Sequence, residues 1–439
     1  MQQGELFVER ERSFHWAWVI LATCFFSLFI NYSVRLGYSV VFPEMIRTLG
    51  FGRTVGGSIY NAYLFSYITL TPLTGYLTDR FGARHVITSC SLILGIGTLL
   101  MGTVHNLWMA CLFYAIAGVG ATGMWAPVIT VVQRWFSLNR RGLALGILST
   151  GYGLGFATMG VAFPWIVHHF TWRYAWYFLG AGALVMTLIN GLLLRSDPKE
   201  SGYLPWGQKN GSSRSSETDM APSAKDIPLS MVFKNIRFWL IGLSYFSIAY
   251  SLYGITTFMV DYAKYQIGLP LEKASLLATV HGVSQVAGVL TILPLSDYVG
   301  RKKAIIISNS FISACLIGIL FTGNSWKMLF ILVGIMALFY GATFPLYGAC
   351  AGDYFPKDVM GTVIGAWTPM YGLGAILVHW ITGILRDTTG VYDYAFIINT
   401  GMAVAGLCLM ALVRKSEVNS GFITHKPQDQ WIPKGRIMK

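Results

Sequence analysis

The sequence predicts an all-α membrane protein with twelve transmembrane helices in two six-helix, pseudo-symmetric bundles. Of its 439 residues, 54% are hydrophobic and only 12% are charged, whereas about a quarter of residues in soluble proteins are charged. Apolar segments of roughly 20 residues, long enough to cross a bilayer, recur between short polar interruptions. Because backbone groups inside a bilayer have no water to bind, each segment is expected to be a helix.

The predicted spans form two sets of six. They cover residues 14–42, 55–78, 84–104, 107–135, 142–167 and 173–194, then 235–262, 272–296, 303–323, 326–352, 360–385 and 391–413. The polar, Ser-rich stretch between the sets is typical of a flexible linker. The expected organisation is an N-terminal bundle (1–195), a cytosolic linker (196–232), a C-terminal bundle (233–415) and a cytosolic tail (416–439).

The basic residues predict the orientation of the chain. The net charge is +13, but most Lys and Arg residues fall in segments that are cytosolic when the N-terminus is inside, which is the positive-inside bias of membrane proteins rather than a nucleic-acid surface. Arg10 and Arg12 run directly into a full-length span, so the first helix is expected to be retained rather than cleaved. We therefore expect a multi-pass protein of the inner (plasma) membrane with both termini cytosolic.

Motifs for enzymes and cofactors are lacking. The six cysteines fall within apolar spans without paired spacing, which favours packing roles over disulfides or metal sites. The G-x-G-x-x-G pattern from Gly118 to Gly123 lies inside a predicted helix with no strand before it, so it does not indicate nucleotide binding. With no P-loop, HExxH or nucleophile elbow, we expect no enzyme activity, no cofactor and no metal.

Two stretches of the chain are repeated. Residues 134–155 align with 353–374 at an offset of 219, including a shared Tyr-Gly-Leu-Gly, and residues 75–84 align with 293–302 at an offset of 218. Two unrelated stretches with nearly the same period indicate parallel repeats. Such repeats flank a central site near the bilayer midplane, to which access alternates as one half moves against the other.

The segment GYLTDRFGAR, residues 75–84, resembles the G-x-L-x-D-R-x-G-x-R signature of the major facilitator superfamily. The resemblance implies the major facilitator fold and a cytosolic latch in which Asp79 pairs with helix ends and Arg134 in one conformation only. The alternative is an ordinary positively charged turn. The expected latch residues are Gly75, Asp79, Arg80, Gly82, Arg84, Arg134, Asp297, Gly300 and Arg301.

Three further segments resemble the monocarboxylate porters and their oxalate/formate-type relatives. These are WAWV (16–19), GYSVVFP (37–43) and WFSLNRRGLALG (135–146). The sequence also departs from that pattern, since Glu44 stands where the eukaryotic-type porters carry lysine. Gln285 and Val289 replace the aspartate and arginine of the eighth helix, so the usual anion-binding cation is missing.

Arg35 is the candidate replacement, because it is the only charged residue between Trp16 and Phe42. The segment NYSVR, residues 31–35, is similar to the N-Y-x-D-R motif of organic anion:cation symporters, in which the arginine holds the anion. Val34 replaces the proton-carrying aspartate of that motif. A planar guanidinium fits a carboxylate or sulfonate through two hydrogen bonds. Alternatively, Arg35 bonds a helix carbonyl or extends to the membrane surface.

Helical spacing aligns polar and aromatic side chains with Arg35 as candidate substrate contacts. In the alternative interpretation they pack between helices or sit in the interfacial aromatic belt. The candidates are Asn31, Tyr38, Tyr250, Tyr253, His281, Gln285, Tyr340, Tyr347 and Tyr371.

Proton coupling requires a group that can titrate during transport. His281 and His379 are candidates because histidine titrates near neutral pH, although either could be an interior hydrogen-bonded residue. Glu44 and Asp261 end the first and seventh predicted spans on the outer side, where they either titrate at an external gate or are solvated.

Together these features predict a secondary active transporter of a small organic anion, most simply a monocarboxylate, working by proton symport or anion exchange. The alternatives are an efflux transporter of amphiphilic or drug-like compounds and a non-transporting membrane sensor with a transporter-like fold. The expected partners are the anion, co-transported protons and the lipid bilayer, and a monomer is expected.

Overall fold

The computed structural model describes residues 15–198, 201–208, 229–355 and 357–414. The predicted tail, residues 416–439, and most of the predicted linker lie outside these ranges. The first half contains α1 (Ala17–Leu49), α2 (Arg53–Phe81), α3 (Ala83–Met101), α4 (Leu107–Ala121), α5 (Ala126–Trp135), α6 (Leu138–His169) and α7 (Trp172–Leu193). The second contains the short α8 (Leu229–Lys234), α9 (Ile236–Tyr265), α10 (Leu271–Val299), α11 (Arg301–Leu320), α12 (Trp326–Tyr354), α13 (Lys357–Thr389) and α14 (Asp393–Leu412).

The described chain contains eleven helical stretches long and apolar enough to cross a membrane, with α4 and α5 counted as one. Helix α2 is the twelfth crossing: it has 29 residues but is less apolar, and it packs between α4 and α13 inside the bundle. The predicted all-helical fold is therefore confirmed. The fourth predicted span is broken by a 3-10 turn at Thr122–Met124. Pro127 follows in the first turn of α5, where its missing N–H is tolerated.

Twelve crossings return the chain to the side on which it starts. We call the side of His15 and Arg414 the terminal face and the opposite side the distal face. At the terminal face, two basic residues 218 positions apart cap equivalent helix ends. Arg84 donates to the Gly191 carbonyl of α7, and Lys302 donates to the Ala411 carbonyl beside α14 at 3.2 Å. Cations are favourable at helix C-termini, so both caps support the fold.

The two halves touch closely near the distal face and diverge towards the terminal face. A Cβ atom at Gly160 of α6 would lie 2.6 Å from the Ser275 carbonyl oxygen of α10, and one at Gly153 would lie 2.5 Å from Val286. At Gly146 the nearest atom is already 4.0 Å away, and at Gly142 nothing lies within 4 Å. This gradient along α6 leaves a cleft open to the terminal face.

The contact between α6 and α10 depends on glycine at position 282. A Cβ atom there would overlap the Gly153 carbonyl oxygen and lie 2.6 Å from the Ala157 backbone nitrogen. We expect Gly282→Ala to lower the free energy of unfolding by about 1 to 3 kcal/mol, because backbone atoms cannot move aside as a flexible side chain can. Thermal unfolding of the purified protein in detergent measures this.

Gly348→Ala is the matched control, since nothing lies within 4 Å of its Cβ position in α12. It should unfold at the wild-type temperature. Equal unfolding temperatures for Gly282→Ala and Gly348→Ala would show that the two halves are not in this close contact.

Candidate functional site

Arg35 lies in a central cavity of about 310 Å³ between the two halves. Its side chain is buried, with 7% of the residue exposed. One terminal nitrogen, Nη2, donates to the Tyr253 hydroxyl at 2.5 Å, while Nε has no hydrogen-bond partner. Within the described residues, no carboxylate lies within 4.0 Å of this guanidinium. The cavity thus contains a buried cation whose charge no described acidic residue neutralises at contact distance.

Aromatic rings surround the guanidinium. Its central carbon lies 4.9 Å from the ring centre of Tyr67, 5.7 Å from that of Tyr32 and 5.9 Å from that of Tyr253. Ring faces attract a cation through their quadrupole, which offsets part of the cost of burying the charge. Hydrogen-bonding capacity remains at Nε, as expected for a cation that receives an additional acceptor from outside the protein.

The cavity lining follows the internal repeat. Positions 218 or 219 apart in the sequence face one another across the cleft, and the Arg35–Tyr253 hydrogen bond joins one such pair. Four of these pairs line the cavity: Arg35 with Tyr253, Tyr67 with Gln285, Trp125 with Phe344, and Tyr152 with Tyr371. The symmetry is broken in charge only at Arg35, so the cavity has one cationic side.

The predicted substrate contacts divide into two groups. Arg35, Tyr253, Gln285, Tyr340 and Tyr371 line the cavity. The other five lie outside the lining. Tyr38 donates to the Gly56 carbonyl at 2.7 Å, and the Tyr347 hydroxyl lies 2.7 Å from that of Ser244. Both tyrosines thus make their hydrogen bonds within their own half.

Asn31, Tyr250 and His281 also lie outside the cavity lining. Each is buried and has one polar side-chain atom without a hydrogen-bond partner among the described residues. The His281 ring packs edge-on against Phe156 and Tyr340, with its Nε2 3.4 Å from the Thr256 hydroxyl. His281 is thus separated from the cavity by the Tyr340 side chain.

Sequence reasoning missed five aromatic residues that line the cavity. They are Tyr32, Tyr67, Trp125, Tyr152 and Phe344. Two features of the sequence could have identified two of these residues. Tyr152 is the repeat partner of Tyr371, and Tyr67 follows Tyr60 and Tyr63 at helical spacing.

His379 lies buried beside Tyr60 and Tyr253, where it connects the halves. Its Nδ1 is 2.7 Å from the Asn61 side-chain oxygen, and its Nε2 is 2.9 Å from the Thr257 hydroxyl. Asn61 in turn donates to the Ile376 carbonyl at 2.9 Å. A neutral imidazole with its proton on Nδ1 satisfies every one of these bonds, so His379 has the geometry of a hydrogen-bonded interior histidine.

At the distal face, charged groups join the halves in what we call the distal ion-pair layer: Glu44, Arg53, Asp261, Lys264 and Asp387. The buried Asp261 carboxylate accepts from Arg53 Nε at 3.1 Å and from the Tyr392 hydroxyl at 2.5 Å. Glu44, also buried, pairs with Lys264. The Asp387 carboxylate accepts 2.8 Å bonds from the first backbone N–H groups of α2. The two predicted gate carboxylates, Glu44 and Asp261, are thus buried and paired rather than solvated.

The predicted latch residues lie at the terminal face. Gly82 and Gly300 adopt positive φ angles of 83° and 93° at the starts of α3 and α11. Asp79, Arg80 and Arg134 are not buried, and the described residues include no ion pair between Asp79 and Arg134. Gly75 has no atom within 4 Å of its Cβ position.

The second copy of the latch motif forms ion pairs inside its own half. Arg301 Nη1 donates to Asp353 at 3.0 Å, and Nη2 lies 3.6 Å from Asp297. Asp353 is the repeat partner of Arg134. Both of these ion pairs lie within the second half, which agrees with the open cleft at the terminal face.

Comparisons with known proteins agree with this architecture. The sequence profile of the Major Facilitator Superfamily matches residues 24–273 and 241–437. The hexuronate transporter of Bacillus subtilis is 25% identical over 88% of this chain and 92% of its own length. A "probable sulfoacetate transporter" of Cupriavidus necator is 24% identical over 88% of this chain and 91% of its own length.

Among solved structures, a point mutant of the nucleoside transporter NupG superposes with a TM-score of 0.70 at 15% identity, covering 90% of this chain and all of NupG. A bacterial homologue of the human lysosomal transporter Spinster gives a TM-score of 0.66 at 16% identity, covering 90% of this chain and 95% of its own. These likenesses support the fold. With the profile match over nearly the whole described chain, they show that this multi-pass membrane protein belongs to the Major Facilitator Superfamily of transporters.

Proposed function

We propose that the protein carries a small organic anion, specifically a monocarboxylate, whose charged group binds Arg35. The observation that carries the proposal is the buried guanidinium with an unpartnered Nε and no contacting carboxylate among the described residues. A buried charge is costly unless a counter-ion and hydrogen bonds compensate it. The described cavity lining contains this arginine and no acidic residue, which favours anionic over cationic cargo.

The named substrates of the relatives support the anionic class. Three relatives are named as transporters of hexuronate, of sulfoacetate, and of galactarate or D-glucarate. All of these compounds are organic anions. Two of these names describe carboxylates alone and one adds a sulfonate, and both groups accept two parallel hydrogen bonds from a guanidinium.

The proposed mechanism is alternating access about this cavity. We place the terminal face in the cytosol, as the positive-inside bias favours, so that the described conformation opens inward. The distal ion-pair layer closes the outer side in this state. In the outward-open state the latch motif would close the inner side, with Asp79 and Arg134 brought together.

Proton coupling is assigned to Asp261 in this proposal. Protonation removes the charge that holds Arg53 and therefore weakens the closed distal face. His379 is the second candidate, because a second ring proton, on Nε2, would require the Thr257 hydroxyl to accept from this nitrogen instead of donating to it. Glu44 and His281 rank lower, since Glu44 retains two basic neighbours and His281 lies behind Tyr340.

Uptake into proteoliposomes tests the proposal. We expect labelled lactate or pyruvate to enter vesicles containing the protein faster than protein-free vesicles, and unlabelled carboxylate to compete. An inside-alkaline pH gradient should accelerate net uptake if protons are co-transported, whereas trans-loaded anion should accelerate it if the protein is an exchanger. Transport of a cationic dye with no carboxylate or sulfonate uptake would contradict the assigned substrate class.

A further inference from the structure

The cavity has two chemically different ends. Around Arg35 the walls carry phenol groups, from Tyr32, Tyr67 and Tyr253. Towards the terminal face aromatic ring surface predominates: Trp125 of the first half meets Phe344 of the second edge-to-face, with ring centres 5.6 Å apart. In ligand pockets a few polar groups fix the orientation of the ligand, and apolar walls cover the remainder of its surface. The described cavity therefore orients one polar group of a ligand and covers the remainder with aromatic surface.

Beside Trp125 and Phe344, the polar groups of the wall are the phenols of Tyr152 and Tyr371, whose rings contact this pair. The Thr71 hydroxyl donates to the Tyr67 carbonyl at 2.6 Å, and the Thr368 hydroxyl donates to the Ile364 carbonyl at 2.9 Å, so both bond their own helices. Gln285, whose Oε1 has no partner, is the remaining amide in the described lining. A ligand body with more hydroxyl groups than these side chains can pair would lose the water bound to the others without replacement, at a cost for each unpaired group.

The single charge of the lining restricts the ligand further. Arg35 can neutralise one anionic group, and no other described residue of the cavity lining is charged. A second carboxylate on the same ligand would be buried against aromatic rings, whose faces are negative and repel it. Dicarboxylates such as galactarate are therefore disfavoured relative to monoanions.

Resting on the proposed function, we infer that the preferred cargo is an aromatic monocarboxylate, with its carboxylate on Arg35 and its flat apolar ring packed against the contacting pair Trp125 and Phe344. The volume of about 310 Å³ lies at the small end of ligand pockets, which span about 300 to 1,000 Å³, so the ring system is small. Trp125 and Phe344 are assigned as specificity-determining residues. Offset or edge-to-face contact with both rings would favour an aryl group over an aliphatic or polyol body.

Competition binding to the full-length protein in nanodiscs tests this inference, with benzoate, L-lactate and D-glucuronate as probes. Benzoate should bind at least about tenfold more tightly than either of the others. Trp125→Leu and Phe344→Leu should each lower the benzoate-to-lactate affinity ratio about tenfold, which corresponds to about 1.4 kcal/mol. Trp165→Leu is the matched control, because Trp165 is 57% exposed on the outer surface of α6, and it should leave the ratio unchanged.

The outcomes distinguish a failure of the aromatic preference from a failure of the proposed anion binding at Arg35. If D-glucuronate or lactate binds as tightly as benzoate and its binding requires Arg35, the aromatic preference is overturned while anion binding at Arg35 stands. Unchanged ratios in both leucine variants would likewise overturn the roles of Trp125 and Phe344. If no carboxylate depends on Arg35, the proposed function itself is wrong.

Discussion

Replacing Arg35 by glutamine is expected to abolish carboxylate uptake at substrate concentrations that saturate the wild type. Removing one partner of a buried, hydrogen-bonded charge pair costs about 2 to 5 kcal/mol. Since 1.4 kcal/mol is tenfold, affinity should fall about 30-fold or more. Within the described cavity lining no other cation can substitute for Arg35. Binding and uptake of labelled lactate and benzoate, measured on the same preparation, give both quantities.

Two further variants show whether the loss reflects binding rather than folding. Arg35→Lys keeps the charge but loses the planar fork, so it should bind more weakly than wild type and more tightly than Arg35→Gln. Tyr253→Phe removes the phenol that accepts from Nη2 and should retain anion binding, because the guanidinium keeps its charge and Nη2 becomes available to the anion. Wild-type uptake rates in Arg35→Gln that elutes as a single species would refute the site.

Asp261→Asn is expected to open the distal face. Breaking a buried ion pair by removing one charge costs about 3 to 5 kcal/mol, and here the pair with Arg53 exists only while the distal sides of α2 and α9 are together. The ratio of distal-open to distal-closed molecules should rise about 100-fold or more. A cysteine at Thr257, one helical turn inward, should then react faster with a membrane-impermeant maleimide added from the distal side.

A charge exchange and a neighbouring carboxylate provide the controls for Asp261. Arg53→Asp combined with Asp261→Arg should restore slow labelling, because the ion pair is re-formed in reverse. Asp393→Asn removes an exposed distal carboxylate that bonds Gln266 of the same half, and labelling should stay at the wild-type rate. Equal labelling in Asp261→Asn and wild type would mean that this ion pair does not hold the distal face closed.

Loss of pH-driven uptake in Asp261→Asn, with exchange retained, is the result expected if Asp261 carries the coupled proton.

The twelve crossings could be predicted because each long apolar segment has only one way to satisfy its backbone in lipid. Helix α2 shows the limit of that signal. It is recognisable as a span by length, yet it is less apolar than the others because Tyr60, Asn61 and Tyr63 are buried against other helices rather than exposed to lipid. The break between α4 and α5 was missed because hydropathy does not report where a helix changes hydrogen-bonding pattern.

The site was only partly predictable because helical spacing does not say which face of a central helix meets the cavity. Tyr38 and Arg35 are three residues apart on α1, yet Tyr38 points to Tyr60 and Tyr114 of its own half while Arg35 points across the cleft. The internal repeat was the stronger signal. It pairs Trp125 with Phe344 and Tyr152 with Tyr371, and a search for repeat partners of Gln285 and Tyr371 would have found Tyr67 and Tyr152.

The uncompensated charge of Arg35 has an electrical consequence. An empty carrier holds one positive charge within the membrane, whereas a carrier occupied by a monovalent anion is neutral at the same place. A full unit charge moved across 100 mV is worth about 2.3 kcal/mol, and Arg35 samples a part of that field as the halves rock. Voltage should therefore act on the return of the empty carrier and leave the loaded step nearly unaffected.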